Sequence, residues 1–450
     1  MFFLLLLMAC GLFSSPPTPP PEVVVFVVID TLRADHTSLC GYGRPTTPAL
    51  ATLAARGQHT CDLVSAAPWT HPSHATLFTG LPVTEHGAQW SGDSPVAVND
   101  FVHVRPLHSR FTTLAESFSE AGFQTVAVSA NGIVNDASGL LQGFDRTVVA
   151  RGMQDLRRAK LGAAVETELA ALDPSRPVFL FVNIFDAHDP YPAVTPELSR
   201  LGFGEPQPRT VLQAYTASDA NPYYRFLKGR MAPTEAQDYL RTLTNGYDAG
   251  ILHADRNLAD VLQRLRSMGW LSGAHRVVIT SDHGELLGEH GLLRHGGFLW
   301  EPGIRVPLVA FGSAELPALP APMAATDVFG LVRHGRMPDA PTLPTSVSER
   351  DPGNLLVGTE AGALRDGPAK LMCVDGQTMR FDLNTDPGET QPLPIGDHPQ
   401  AAALASLCAA VAALKALPVP QDPSGEVNRA LRELGYLDPE PAPREPEGPR

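Results

Sequence analysis

The sequence has little basic character for its length. Only 34 of its 450 residues are Lys or Arg, against 48 Asp or Glu, and the formal net charge is −14 at pH 7. It shows no basic stripe and no interleaving of basic with aromatic residues, the pattern of surfaces that bind a phosphate backbone. Because a strongly negative protein repels polyanions, nucleic acid is not expected as a partner.

The sequence also lacks an apolar run long enough to span a bilayer. The run in residues 1–13 (MFFLLLLMACGLF) falls short of the roughly 20 apolar residues that a spanning helix needs. It is typical of an export signal, and residues 7–10 (LMAC) resemble a bacterial lipobox, in which Cys10 would become lipidated. Residues 14–21 (SSPPTPPP) predict an extended tether. We therefore expect export to the periplasm or cell surface as a membrane-anchored lipoprotein, with a plain signal peptide as the alternative.

Cysteine is scarce. Besides Cys10 there are four, at positions 40, 61, 373 and 408, and none forms a CxxC pair or the Cys/His spacing of a zinc site. An exported protein could oxidise them, but the sequence does not give the pairing. Buried free thiols are the alternative.

What the sequence does contain is 43% hydrophobic residues, many of them in short runs. Five β-branched runs predict buried strands, at residues 23–29, 125–128, 178–184, 276–280 and 306–311. Helical patterns lie at residues 49–56, 113–120 and 234–268, the last beginning with a capping-box pattern at Thr234 and Gln237. Strands that alternate with helices predict an α/β fold whose mostly parallel central sheet has helices on both faces.

The length allows one large domain and a smaller appendage. We predict a leader and tether at residues 1–21, a catalytic domain at 22–330, a small C-terminal α+β subdomain at 331–437 and a disordered tail at 438–450. The subdomain should contain an antiparallel sheet around residues 370–383 and a helix at 399–414. The irregular stretch 191–231 predicts a loop on the substrate side.

Polar residues follow the predicted strands where each strand ends. Because ligands of open α/β sheets bind beyond the carboxyl ends of the strands, we expect these residues to converge on one site. The six residues are Asp30, Asn131, Asp186, His188, Asp282 and His283.

A short helical pattern begins at Thr70 and ends before Gly80, with Pro72 near its first position. A hydroxyl at a helix N-terminus lies at the positive end of the helix dipole, close to free N–H groups. This position favours an alkoxide and an incoming anion. Taken alone, such a threonine is usually only a cap, so its context decides its role.

In combination and in this order, the motifs resemble those of the sulfatase family, in the alkaline phosphatase superfamily. The similarity runs over roughly residues 22–437. It rests on residues 27–36 (VVIDTLRADH), 40–43 (CGYG), 45–50 (PTTPAL), 67–80 (APWTHPSHATLFTG), 281–285 (SDHGE), 288–291 (GEHG), 295–296 (HG), 305–307 (RVP), 381–389 (FDLNTDPGE) and 431–437 (LRELGYL).

The resemblance implies a divalent cation bound by Asp30, Asp282 and His283, with the oxygen of Thr70 as a further ligand. Two carboxylates, an imidazole and an alkoxide suit Ca²⁺, Mn²⁺, Mg²⁺ or Zn²⁺. We expect one cation per site. A second metal bound by His188 or His295 is the alternative. However, Asp186 and His188 lack the Asp-x-x-x-His spacing of two-metal relatives.

The nucleophile segment departs from the family pattern. Sulfatases carry Cys or Ser in a C/S-x-P-x-R motif and oxidise it to formylglycine, whereas this sequence has Thr70 and, in place of the Arg, His74. Oxidation of a threonine would give a ketone, so we predict that Thr70 stays unmodified and attacks directly. Such nucleophiles resemble those of phosphodiesterases, nucleotide pyrophosphatases and phosphoglycerol transferases. The family's sulfate-binding Gly-Lys-x-His motif is replaced by residues 128–132 (VSANG).

The expected enzyme is a metal-dependent hydrolase that cleaves phosphate (di)esters or sulfate esters through a covalent Thr70 intermediate. His188 or His295 would protonate the leaving oxygen, and His74 and Asn131 would bind the remaining oxygens of the substrate. The substrate would be a small-molecule, lipid or glycan ester. Two alternatives are a membrane-tethered phosphoglycerol- or phosphoethanolamine-type transferase and a catalytically inactive binding module.

Overall fold

A computed structural model describes residues 22–91, 97–99, 102–150, 156, 159–209, 221–340, 342–348 and 360–414. The expectations for the leader, Cys10, the tether, the motif at 431–437 and the tail lie outside these residues. In the described part, every helix is too short or too polar to cross a membrane.

The described chain folds into strands, α-helices and three short 3-10 helices. The strands are β1 (Val23–Ile29), β2 (Gln58–Val64), β3 (Gln89–Trp90), β4 (Ala97–Asn99), β5 (Val102–Arg105), β6 (Gln124–Ser129), β7 (Arg146–Val149), β8 (Val178–Ile184), β9 (His275–Thr280), β10 (Leu286–Leu287), β11 (Leu293–Arg294), β12 (Arg305–Gly312), β13 (Met323–Ala324), β14 (Thr345–Ser348), β15 (Ala361–Asp366), β16 (Ala369–Val374) and β17 (Gln377–Asp382). The α-helices are α1 (Pro48–Ala54), α2 (Thr70–Thr79), α3 (Val83–His86), α4 (Leu114–Glu120), α5 (Ala159–Ala170), α6 (Pro196–Arg200), α7 (Pro222–Leu227), α8 (Pro233–Ser267), α9 (Glu301–Ile304), α10 (Asp327–His334) and α11 (Ala401–Leu414). The 3-10 helices are Ala34–His36, Ser38–Cys40 and Glu289–Gly291.

The central sheet has eight strands in the order β13-β2-β12-β9-β1-β8-β6-β7. Strand β12 runs antiparallel to β2 and β9, and the other neighbouring pairs are parallel. At the centre, Val28 of β1 lies opposite Asn183 of β8 and Thr280 of β9. The predicted α/β class with a mostly parallel sheet is confirmed.

Alternate residues of β1 pack into two separate cores, one on each face of the sheet. Val25 and Val27 contribute to the core covered by α1, α5 and α8. Phe26 and Val28 contribute to the core covered by α2, α4 and α10. Because both faces are covered, all of β1 is buried, which explains its unbroken apolar sequence.

The start of α8 differs from the prediction. Ala232 is the N-cap residue, and Pro233 occupies the first turn without a side-chain cap. The capping box predicted at Thr234 and Gln237 is therefore wrong, because Thr234 already lies inside the helix. Proline fits the first turn since its missing N–H would have no partner there.

The C-terminal subdomain contains the expected antiparallel sheet and helix. Strands β14-β15-β16-β17 form the sheet, with antiparallel neighbours throughout. Helix α11 packs on it, where Leu404 joins Leu364 and Leu371. Helix α10 crosses the predicted boundary at residue 330 and packs against the central sheet, in the core that contains Phe26 and Val28.

Buried charges join the C-terminal subdomain to the part of the chain that contains the central sheet. The Lys370 ammonium is fully enclosed, with its Nζ 2.6 Å from Glu389 Oε1 and 3.1 Å from Glu301 Oε1. Arg365 Nη1 lies 2.5 Å from Glu301 Oε2. We call these four residues the interdomain charge cluster. Buried ions need such close pairing to offset the loss of their hydration.

Two disulfides pair the four cysteines whose pairing the sequence left open. Cys40 bonds to Cys61, linking the segment after β1 to β2, and Cys373 of β16 bonds to Cys408 of α11. The sequence separations are 21 and 35 residues. Both bonds therefore close sizeable loops and reduce the entropy of the unfolded chain.

We expect the double variant Cys40→Ala/Cys61→Ala to lose about 3 kcal/mol of unfolding free energy, because the loop it opens is no longer constrained. Denaturant unfolding under non-reducing conditions measures this loss. The matched Cys373→Ala/Cys408→Ala variant should lose a similar amount. Labelling of these four positions by a thiol reagent in unfolded, unreduced protein would contradict the pairing.

Candidate active site

The candidate site residues gather at the carboxyl end of the central sheet. Asp30 follows β1, Asn131 follows β6, and Asp282 and His283 follow β9. Thr70 is the first residue of α2. The predicted strand ends therefore place four of these side chains together, and the start of α2 brings Thr70 to them.

Asp30, Asp282 and His283 form a compact group of candidate cation ligands. Their ligand atoms all lie within 4.8 Å of one another, and all three residues are buried. His283 Nε2 is 3.8 Å from Asp30 Oδ1 and 3.3 Å from Asp282 Oδ2. His283 Nδ1 donates to the Gly284 carbonyl at 2.9 Å, which leaves Nε2 as the atom able to bind a metal.

Two orphaned oxygens show that this group fits a divalent cation. Asp30 Oδ1 and Asp282 Oδ2 are buried and lack a hydrogen-bond partner. An unpaired buried carboxylate oxygen is energetically costly, and a bound cation would satisfy both. Two carboxylates and an imidazole suit Mn²⁺, Mg²⁺, Ca²⁺ or Zn²⁺.

The electrostatics of the group favour a cation as well. Burial, together with the charge of Asp282, raises the pKa of Asp30 to about 7. Burial also raises the pKa of Asp282 to about 7 and lowers the pKa of His283 to about 4. Around neutral pH the two carboxyls thus hold protons readily, and a cation would displace them.

A strained residue helps to orient Asp282. Thr31 has a φ of 58°, a left-handed conformation that is costly for a β-branched residue. Its backbone N–H donates to Asp282 Oδ1 at 3.3 Å. The Tyr247 hydroxyl of α8 donates to the Thr31 carbonyl at 2.6 Å and accepts from the Arg33 N–H at 3.0 Å. The long helix α8 therefore braces the segment that follows β1.

Thr70 lies against the cation group. Its Oγ1 accepts from Asn131 Nδ2 at 3.2 Å and lies 3.5 Å from His283 Nε2. Asn131 Nδ2 also donates to Asp30 Oδ2 at 2.7 Å. The Asn131 amide therefore contacts both the candidate nucleophile and a candidate ligand.

His74 stands one helical turn after Thr70 and is fully enclosed. Its Nδ1 donates to the Thr70 carbonyl at 3.0 Å and lies 3.5 Å from Asp282 Oδ2. Its ring meets Phe78 and Phe181 edge-on. Burial lowers the pKa of His74 to about 3, so the ring is neutral. Its Nδ1 thus faces Thr70 and Asp282, whereas its buried Nε2 has no hydrogen-bond partner among the described residues.

His295 and His188 lie close to the ligand group. The His295 ring centroid is 4.5 Å from that of His283 and 5.0 Å from that of His188. His188 stacks on Phe185 at 4.2 Å, and its Nδ1 donates to the Asp189 carbonyl at 2.5 Å. Both proposed proton donors therefore lie near the candidate cation site.

Asp186, another predicted strand-end residue, hydrogen-bonds to helix α8. Its Oδ2 accepts from Asn257 Nδ2 of α8 at 2.6 Å. It is not among the three candidate cation ligands in the described chain. Its position after β8 is as expected, but its side chain serves the packing of α8.

Sequence reasoning assigned no role to Arg33, Glu285 or Tyr191. Arg33 Nη1 donates to the Glu285 carbonyl at 2.9 Å and to Glu289 Oε1 at 2.8 Å, so it links the segments after β1 and β9. Glu285 and Tyr191 are fully buried and bond to each other. The SDHGE motif contains Glu285, yet motif spacing gives no sign of a partner 94 residues away.

A family model described as sulfatase matches residues 22–332. The chain belongs to the sulfatase family. This membership is what the motifs predicted, and the family is one of ester hydrolases. A search of curated proteins found no match.

Solved structures share the fold of this sulfatase-family chain. One is BT4656 in complex with its substrate D-glucosamine-2-N,6-O-disulfate, at TM-score 0.63 and 16% identity, covering 95% of this chain and 100% of that one. Another is a phosphonate monoester hydrolase of Agrobacterium radiobacter, at TM-score 0.61 and 18% identity, covering 88% and 95%. A third is BT1596, a 2-O GAG sulfatase, at TM-score 0.57 and 16% identity, covering 91% and 96%. At these identities the likeness concerns the fold.

Proposed function

We propose that this hydrolase cleaves phosphate esters, diesters above all, through a covalent intermediate on unmodified Thr70. The observation that carries the proposal is the position of Thr70 Oγ1 at the N-terminus of α2, 3.2 Å from the Asn131 amide and 3.5 Å from His283 Nε2. A hydroxyl placed there can attack without being converted to another group.

The chemistry of the second step favours phosphorus over sulfur. A formylglycine hydrate can expel sulfate by collapsing to its aldehyde. A threonine ester has no second hydroxyl, so water must attack the transferred group itself. Phosphorus tolerates this second displacement well, and the family's sulfate-binding lysine motif is replaced by residues 128–132.

The cation would be held by Asp30, Asp282, His283 and the oxygen of Thr70. When bound, it lowers the pKa of the nucleophile and neutralises charge on the transferred group. Asn131 holds Thr70 Oγ1 by its 3.2 Å hydrogen bond. A histidine on the far side of His283 then gives a proton to the leaving oxygen.

His74 fits a supporting role better than a direct contact with substrate. Its ring is fully enclosed, and its Nδ1 faces the Thr70 carbonyl and Asp282. Asn131 remains a candidate contact for substrate oxygens because its amide adjoins Thr70 Oγ1.

We also propose that the protein is exported. Disulfides persist mainly in oxidising compartments, and two of them, Cys40–Cys61 and Cys373–Cys408, support this placement. Lipid anchoring at Cys10 would bring the enzyme close to membrane substrates. Such a position would also suit the alternative function, a transferase that moves a phosphoglycerol- or phosphoethanolamine-type group from Thr70 to another alcohol instead of to water.

A panel of three esters tests the proposed function. With each divalent metal in turn, we expect bis-p-nitrophenyl phosphate to be hydrolysed faster than p-nitrophenyl sulfate, with p-nitrophenyl phosphate as the monoester comparison. Strong sulfatase activity alone would contradict the proposal. Turnover of none of the three would favour a binding module, and product transfer to added glycerol would favour the transferase.

A further inference from the structure

Arg294 places a partly exposed cation next to the candidate active site. It directly precedes His295, whose ring lies 4.5 Å from the ring of His283. In the short hairpin of β10 and β11 it lies opposite Leu286, so its backbone is fixed beside the segment that follows β9. Its side chain is 19% exposed, which is open enough for a ligand to reach the guanidinium.

The backbone of Arg294 is strained. Its φ is 74°, in the left-handed region that favours glycine. Glycine occupies two nearby positions of positive φ, Gly291 and Gly296, whereas an arginine stands at this one. Residues that persist in such a conformation cluster at ligand-binding and active sites. The strain therefore indicates a role for the Arg294 side chain.

A tyrosine ring lies against the guanidinium. The Arg294 guanidinium carbon is 5.9 Å from the centre of the Tyr223 ring, within the range of a cation–π contact. Tyr223 belongs to α7, in the stretch where the sequence predicts a loop on the substrate side. Its hydroxyl is buried, and no described residue accepts a hydrogen bond from it. Burial raises the pKa of Tyr223, so the hydroxyl keeps its proton and can donate to a ligand.

A buried carboxylate also faces Arg294, but beyond hydrogen-bonding distance. Asp189 Oδ2 lies 3.8 Å from Arg294 Nη2. Arg33, by contrast, lies 2.8 Å from the carboxylates of Asp35 and Glu289. A guanidinium offers five donors in a planar fork, which suits the oxygens of a carboxylate or phosphate. Asp189 therefore orients Arg294 without the close pairing that Arg33 has.

We propose that Arg294 and Tyr223 form a subsite for a negatively charged group on the leaving alcohol of the substrate. The leaving alcohol is the part concerned because Arg294 adjoins His295, one of the two candidate proton donors to the leaving oxygen. The proposal rests on the hydrolase function proposed above and deepens it by naming the class of ester. Two donors, one of them charged, would hold the anionic group by charge-assisted hydrogen bonds.

Two esters that differ mainly in one charge provide the test. Methyl 3-carboxy-4-nitrophenyl phosphate carries a carboxylate on its leaving group, and the corresponding carboxamide has a similar size without the charge. Hydrogen bonds between charged groups are stronger than neutral ones, so we expect the wild type to prefer the carboxylate by about 10-fold or more in kcat/KM. Arg294→Gln should remove this preference, Arg294→Lys should keep part of it, and Tyr223→Phe should reduce it by about 3-fold.

Arg225→Gln is the matched control. Arg225 is an arginine of α7, but its Nη1 lies 2.5 Å from Glu235 Oε1. Its loss should leave the ratio between the two esters unchanged. If Arg294 served only to offset the charge of Asp189, Arg294→Gln would lower the melting temperature and slow both esters equally. Thermal melting of each variant separates that structural role from recognition of the charge.

The outcomes separate the subsite from the proposed function. A wild type without the preference, or an unchanged ratio in Arg294→Gln, would overturn the subsite while diester hydrolysis stands. The same two leaving groups, made as aryl sulfates, test Arg294 in an enzyme that prefers sulfate esters.

Binding of the two free nitrophenols, measured by calorimetry on metal-loaded protein, decides where turnover cannot. It applies if no ester is hydrolysed or if Arg294→Gln does not fold. Tighter binding of the carboxylate by the wild type, weakened in Tyr223→Phe, would support the subsite. Equal affinities in the wild type would overturn it.

Discussion

Replacement of Thr70 by Ala is expected to abolish diester hydrolysis, with a loss of about 10⁴-fold or more in kcat, because no other group can form the covalent intermediate. Thr70→Ser keeps a hydroxyl at the same position and should retain measurable turnover. Steady-state hydrolysis of bis-p-nitrophenyl phosphate, with bound metal measured in parallel, checks both.

Thr76 offers a matched control on the same helix. It is buried, and its Oγ1 lies 3.0 Å from His86 Nε2, away from the cation group. Thr76→Ala should lower stability without removing turnover. Acid-quenched wild-type enzyme should carry a phosphoryl ester on the peptide that contains Thr70. A near-normal rate in Thr70→Ala, or a mass two hydrogens lower on that peptide, would refute an unmodified nucleophile.

Removal of the cation is expected to abolish turnover and to destabilise the protein more at pH 8 than at pH 5.5. Asp30 and Asp282 have pKa values of about 7 in the folded protein, against about 4 in an unfolded chain. Between these values the metal-free folded state binds more protons than the unfolded state. Its stability therefore falls as pH rises from about 4 to 7, and stays low above that range. A bound cation offsets this loss, so its stabilising effect grows with pH.

Thermal unfolding with and without a chelator, at both pH values, measures this effect. Asp282→Asn should bind no cation tightly and should unfold at the same temperature with or without chelator. Asp255→Asn is the control, because Asp255 is a buried acid that accepts from the backbone of α1 instead. It should melt lower with its metal content unchanged. If the chelator changed neither the melting temperature nor the turnover rate, a cation site would be excluded.

The strands that the sequence predicts best are those buried on both faces. Val23–Ile29 and Val178–Ile184 match to the residue, since β1 is apolar throughout and β8 is apolar at every position except Asn183. Strand β2 escaped prediction because its sequence, QHTCDLV, is polar toward its start, where the strand is only partly covered. The antiparallel direction of β12 could not be predicted either, since an apolar run looks the same in both directions.

The sequence likewise predicts some features of the candidate site and not others. Asp30, Asn131, Asp282 and His283 could be placed together because the ends of parallel strands meet at one edge. The burial of the His74 side chain was not predictable, because His74 lies on α2 and its contact Phe181 lies on the distant strand β8. The bonds of Glu285 to His295 and Tyr191 likewise depend on loops whose paths no periodicity encodes. Side-chain orientation, unlike position along the chain, required the structure.

Because of the interdomain charge cluster, the stretch of chain needed for a stable fold is longer than the stretch that the family model matches. The family model ends at residue 332. In a chain cut there, Glu301 would lose its ion-pair partners Lys370 and Arg365. Exposing one side of a buried ion network costs on the order of 3–5 kcal/mol, and the apolar partners Leu299 and Ile304 would be uncovered as well. The stretch between His295 and Glu301 is also held by the subdomain, because Lys370 donates to the Leu299 carbonyl and Glu389 accepts from the Glu301 N–H. A substitution in the subdomain that disturbs these bonds should therefore shift the segment that follows His295.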